Sequence, residues 1–159
     1  MPASITTNQV WHEVEKQLFA VVGMVTAKSE ARTAGIVYAA RDRQLYFTTD
    51  TDAWKAKHIA QNPHVSLTVT IPKRIPFLSW IKIPAATITF QGEASTHALD
   101  EVDPGIHKAL LKGLEISEDL IAKTCVVRIQ PKGHFVTYGV GVSLATMRKP
   151  EEASGRTPV

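Results

Sequence analysis

The chain has 159 residues, 44% of them hydrophobic and 21% charged, a globular composition whose length predicts one domain rather than two. A single cysteine, Cys125, excludes an internal disulfide framework and a cysteine-rich zinc module, and no apolar run reaches the ~18 residues of a spanning helix. The net charge of +3 is unevenly spread: residues 72–92 hold Lys73, Arg74 and Lys82 with no acid, whereas residues 93–119 hold two basic and seven acidic groups. This pattern suits an anionic small ligand and argues against nucleic acid, which calls for a dense Lys/Arg face.

Along the chain, residues 8–19 carry Val10, Trp11, Val14, Leu18 and Phe19 at helical spacing, with Thr7 or Asn8 as the N-cap. Residues 19–28 read as a valine-rich strand, 32–40 as a second strand and 44–50 as a third, with tight turns at Ser29–Glu30 and Arg41–Arg43. Short turns of this kind favour antiparallel hairpins. Residues 53–62 are helical and end before Pro63, and 64–71 alternate as a strand. The segment 72–84 contains three prolines and cannot be a regular strand throughout. Residues 85–96 read as a strand, 103–121 as one helix despite Gly113, and 124–131 as a last clear strand that 134–142 extends or follows. The polar tail 144–159 is expected to be poorly ordered unless a partner chain holds it, leaving a domain over 1–143. About six mostly antiparallel strands with few helices predict a small closed or partly open barrel.

The most informative stretch for chemistry is Tyr46 to Pro63. A strand ends in Thr48 and Thr49, a loop follows, and a helix starts near Asp52 with Lys55 in its first turn. A cation there opposes the helix dipole, and a bound phosphate removes that conflict. Solvation, or pairing with Asp52, is the plainer role for Lys55. If the hairpin turns at Arg41–Arg43, residues 32–34 lie near 48–50 across the ladder, which brings the Arg32 guanidinium to the same anion. The six histidines show no metal spacing, and no serine or cysteine sits in a nucleophile motif, so no metal and no catalytic side chain is assigned. Cys125, beside Val126 and Val127, reads as a buried inert thiol.

Arg32 opening a strand, then Tyr46-Phe47-Thr48-Thr49, Lys55 and Asn62-Pro63-His64-Val65-Ser66-Leu67, resembles the pyridoxamine 5′-phosphate oxidase-like split-barrel flavoproteins. The resemblance covers residues 8–140 and implies a six-stranded antiparallel split β-barrel that forms a homodimer with FMN in clefts at the interface. It implies Arg32, Thr49 and Lys55 at the flavin phosphate, Thr48 beside them, and Thr33, Ile36 and Val37 along the ring. It departs at Ala53 and Trp54, where oxidase members carry a serine and an arginine, and it lacks their C-terminal Trp and Arg-x-His segment. The implied activity is therefore FMN-dependent oxidoreduction of a small molecule other than pyridoxamine phosphate. Two alternatives share the fold: a deazaflavin-dependent reductase, with Lys57, Lys73 and Arg74 meeting its longer acidic tail, and a non-catalytic module for flavin or haem. The loop 72–84 reads as dimer packing, as a lip over the flavin ring, or as a membrane contact. It is too short and proline-rich for an amphipathic membrane helix, so no membrane partner is expected. No basic start followed by an apolar core opens the sequence, and a cytoplasmic location is the expectation.

Overall fold

Thr6 starts the first helix, α1 (Thr7–Lys16), through a capping box: its hydroxyl accepts the Gln9 N–H while the Gln9 side chain accepts the Thr6 N–H. In the computed structural model, which describes residues 3–112 and 114–159, one face of α1 buries Val10, Trp11 and Val14. Trp11 packs edge-on against Phe135 with ring centroids 5.4 Å apart, and Phe135 packs against Phe90 at 5.2 Å. Edge-to-face pairs of this kind add roughly 0.5–1.5 kcal/mol beyond the area they bury.

Eight strands follow: β1 (Phe19–Val25), β2 (Ala31–Val37), β3 (Ala39–Arg41), β4 (Gln44–Asp50), β5 (His64–Ile71), β6 (Ala86–Ala98), β7 (Thr124–Tyr138) and β8 (Ser154–Pro158). All pairs are antiparallel, in the order β2-β1-β5-β6-β7-β4-β3, with β8 added to β7. The two end strands, β2 and β3, are separated in the chain by Tyr38 alone, so the sheet curls until its ends meet, the geometry of a split barrel. Inward-facing residues follow the period of two: Ala20, Val22 and Met24 on β1, Leu45 and Phe47 on β4, Val65, Leu67 and Val69 on β5, Val127 and Ile129 on β7. A shift of register between Thr89 and Gln91 lets the long strands β6 and β7 bend around this core.

Four further helices are short: α2 (Trp54–Gln61), α3 (Pro104–Leu111), α4 (Glu118–Lys123) and α5 (Pro150–Ala153). α2 buries Ala56 and Ile59 against the barrel. α3 and α4 lie beside the opposite face of β4 and β7, where Tyr46, Val126, Leu99 and Ile106 form a second small core.

The six expected strands form the barrel among the described residues, the second of them divided, with β8 added to β7. Three expectations need correction. The second strand is two: the buried Tyr38 gives its N–H to the Leu18 carbonyl and its hydroxyl to the Val14 carbonyl, and this anchor separates β2 from β3. The helix expected over 103–121 is α3 and α4. Lys112 takes the left-handed conformation that ends α3, the Ser117 hydroxyl caps α4, and Gly113 lies outside the described residues. The tail 144–159 is ordered within the chain: Gly139, at φ +73°, reverses its direction, and β8 returns to pair with residues 134–138 of β7.

Candidate functional site

Thr26 shapes the turn between β1 and β2. Its N–H donates to the Glu30 carbonyl at 2.9 Å, and its hydroxyl accepts the N–H groups of Lys28 and Glu30 at 3.3 and 3.2 Å. Ser29 sits at φ +61° in that turn. This frame sets Lys28 and Arg32 on one wall of a cleft of about 730 Å³. The other wall is α2, whose residues Trp54, Lys57, His58 and Gln61 recur at i, i+3, i+4 and i+7 and so share one helical face. α2 is tied down from behind, because Thr51 donates both its N–H and its hydroxyl to the Lys123 carbonyl at the end of α4.

The cleft therefore gathers three cations, Lys28, Arg32 and Lys57, against one acid, Glu30. Arg32 and Glu30 lie 3.5 Å apart with both side chains more than half exposed, so their pair is weak and yields readily to a stronger anion. Trp54 and His58 meet edge-on at 5.7 Å. The His58 Nδ1 is buried without a hydrogen-bond partner among the described residues. The N-cap of α2 is Ala53, which offers no side-chain acceptor to the first-turn N–H groups. Arg32 and Thr33 also border a second groove of about 500 Å³ on the outer face of the sheet, beside Gly23, Ser66, Gln91 and the ion-paired Glu93 and Lys132.

The sequence-predicted residues distribute unevenly over this geometry. Arg32 and Thr33 line the cleft. Lys55 does not: it is half-buried in the first turn of α2, its ammonium 5.5 Å from the centroid of the Trp54 ring. The ladder does not bring Arg32 against Thr48–Asp50. Arg32 pairs with Met24 on β1, while Thr48 and Thr49 pair with Val126 and Cys125 on β7. The Tyr38 anchor is the reason, because only Ala39–Arg41 pair with β4. Ile36 is turned into the core at 5% exposure, whereas Val37 is 62% exposed. Val37 and Thr48 meet in a smaller cavity of about 270 Å³ with Tyr38 and Leu110. Of the cations proposed for a longer acidic tail, Lys57 lines the cleft, and Lys73 and Arg74 follow the far end of β5. That end is seven residues from His64, roughly 23 Å along the strand. Cys125 is buried at 4% exposure, and burial pushes its thiol pKa up.

Lys28 and His58 were not singled out from the sequence. The available signal was the spacing of Trp54, Lys57, His58 and Gln61, which assigns them one face of α2 without saying what that face meets.

No family model matches the sequence, and no curated protein matches it. Solved structures do match in fold. A candidate pyridoxamine 5′-phosphate oxidase from Listeria innocua superposes with a TM-score of 0.60 at 18% identity, over 79% of this chain and 93% of that one. An F420 reductase gives 0.53 at 17% identity, over 76% and 90%. A haem-binding protein from Mycobacterium smegmatis gives 0.70 at 12% identity, over 99% of this chain and 60% of that one. The curled antiparallel sheet, its order and these superpositions together identify the fold as the split barrel of the pyridoxamine 5′-phosphate oxidase-like proteins.

Proposed function

We propose that the chain is a split-barrel protein that holds FMN along β2 and acts as an oxidoreductase on a small molecule. The observation that carries this reading is the polarity of β2 and its surroundings. At one end Arg32 and Thr33 line a cationic cleft with Lys57; at the other, Val37, on the same strand face as Thr33, is exposed beside Phe19, which is 46% exposed. The two ends lie five positions apart, roughly 16 Å along the strand. An anionic tail on a flat apolar ring matches such a surface. The residues present fit the group: Arg32 is suited to bidentate phosphate contact, Lys57 adds charge, and the uncapped first turn of α2 offers free N–H groups. Gly35 lies directly under the Phe19 ring, which a Cβ there would meet at 2.9 Å, so Phe19 packs flat on this part of the strand beside Val37. Bound FMN supplies the hydride or electron transfer, and the chain binds, orients and shields it.

The test is FMN titration of the purified protein. Arg32→Ala should weaken binding at least about tenfold, the effect of losing one charge-assisted hydrogen bond. Lys57→Ala should weaken it more than Lys55→Ala, since Lys57 lines the cleft and Lys55 lies over Trp54. The reverse order would put the phosphate at the first turn of α2, as the family resemblance implies. No response to FMN, or none to Arg32→Ala, discards the reading.

Two other ligands have specific support. Lys28 and Lys57 beside Arg32 offer more charge than one phosphate needs, which favours a deazaflavin with its acidic tail. His58 lines this cleft, which favours haem, whose iron that imidazole would bind. Competitive titration separates the two flavins, and a Soret band lost in His58→Ala identifies haem. A bound flavin that cannot be reduced by any donor would favour a carrier over an enzyme.

A further inference from the structure

The connection between β5 and β6 exposes more apolar surface than any other segment described. Phe77 is 97% exposed, Trp80 73%, Ile81 42% and Leu78 36%. The tip is folded rather than trailing: the Leu78 N–H donates to the Ile75 carbonyl and the Ile81 N–H to the Leu78 carbonyl, both at 3.1 Å. Phe77, at φ +64°, is held in a left-handed conformation that bulky residues rarely adopt. Pro72, Pro76 and Pro84 stiffen the connection. Lys73, Arg74 and Lys82 flank the apolar tip, and no acid occurs between residues 72 and 92. Isolated exposed apolar residues need no explanation, but four bulky ones on one stiffened loop mark a contact surface.

We propose that this loop docks the protein on an anionic lipid surface. Phe77, Leu78, Trp80 and Ile81 enter the boundary between headgroups and acyl chains, where aromatic rings are favoured, and the three cations face lipid phosphates. Charge complementarity decides between occupants. The sheet face bordering the loop presents Thr68, Thr70, Thr87 and Thr89, so a second copy meeting it there offers no carboxylate to three cations. Four apolar side chains against three cations is also a poor match to a nucleic-acid backbone. The association is peripheral, since no helix among the described residues is long and apolar enough to cross a membrane. The expectation of no membrane partner rested on the absence of an amphipathic helix, and a loop of this kind needs none.

The full chain is floated with vesicles of phosphatidylcholine alone, and with vesicles of three parts phosphatidylcholine to one part phosphatidylserine. The expected result is capture by the anionic vesicles only, weakened by salt. Phe77→Ser with Trp80→Ser should reduce it at least about tenfold, and Lys73→Gln with Arg74→Gln and Lys82→Gln should do the same. Circular dichroism and sedimentation are run in parallel on both variants, whose changes lie outside the core. Failure of the anionic vesicles to capture the protein overturns the proposal, as does equal capture by both kinds. A loss of self-association in the Phe77/Trp80 variant, without vesicle capture by the parent chain, overturns it in favour of contact between copies.

Discussion

Tyr38 occupies the single position between β2 and β3, and the barrel turns on it. Its hydroxyl donates to the Val14 carbonyl at 2.6 Å and its N–H to the Leu18 carbonyl at 3.0 Å, so one residue ties the strand junction to the end of α1. Tyr38→Phe leaves the Val14 carbonyl with the longer 3.3 Å bond from the Gln17 N–H. The expected cost is about 1 kcal/mol, read from urea midpoints. Burial also raises the Tyr38 hydroxyl far above the ordinary tyrosine value of 10.0. The unfolded chain then loses this proton first. The contribution of Tyr38 is complete below the unfolded value and is lost as pH climbs from there towards the folded one. Parent protein should therefore lose stability above about pH 10 more steeply than Tyr38→Phe. Tyr46, likewise raised mainly by burial, leaves the variant some residual slope. Equal slopes in the two proteins would show that Tyr38 is not held in this way.

At the scale of elements, β8 and α2 show how short segments complete a barrel. β8 covers the last five residues of β7 and is itself held by the N-terminal segment: Ala3 N–H donates to the Ser154 carbonyl at 2.9 Å, and the Thr7 hydroxyl donates to the Pro158 carbonyl at 2.7 Å. Thr157 is buried there. The reversal needs Gly139, because its φ of +73° is one that residues with a side chain rarely adopt. Ending the chain after Lys149 strips residues 134–138 of β7 of this partner and exposes a strand edge. The truncated protein should lose at least about 2 kcal/mol, a fall in thermal midpoint of roughly 4–8 °C, and should aggregate on heating. An unchanged midpoint would show β8 to be peripheral. α2 contributes in a different way: it buries only Ala56 and Ile59, which frees its opposite face to become a cleft wall.

The outer sheet face carries a run of small neutral side chains, Thr33, Gly35, Ser66, Thr68 and Thr89, with Val37 at one margin and the ion-paired Glu93 and Lys132 at another. The Thr68 and Thr89 hydroxyls meet across β5 and β6 at 3.3 Å near its centre. We propose this face as the homodimer contact, because the groove bordering it shares Arg32 and Thr33 with the cleft between β2 and α2. Thr68→Glu with Thr89→Glu would set carboxylates without partners into such a contact. Sedimentation should show a dimer for the parent chain and a monomer for the variant, with FMN affinity falling alongside. A variant that remains dimeric would exclude this face.

Much of the architecture was legible in the residues themselves. β4 and β5 match their expected bounds, 44–50 and 64–71, because turn signals bound both runs, and β5 also alternates between apolar and polar residues. Local chemistry likewise determined the turn at Arg41–Arg43, where Asp42 and Arg43 both take positive φ in a two-residue hairpin. The cationic, phosphate-suited character of Arg32 was also readable, since it depends on the side chain alone. What the tertiary structure decided were the long-range matters. The break at Tyr38 depends on α1 being near enough to accept its hydroxyl proton, and nothing in residues 32–40 signals that. The polar tail lacks apolar periodicity, so its order comes from the vacant edge of β7 and the N-terminal segment that clasps it. The candidate site lies between β2 and α2, elements separated by a hairpin in sequence. Which lysine of α2 faces Arg32 follows from the way Ala56 and Ile59 dock that helix, a choice made by packing.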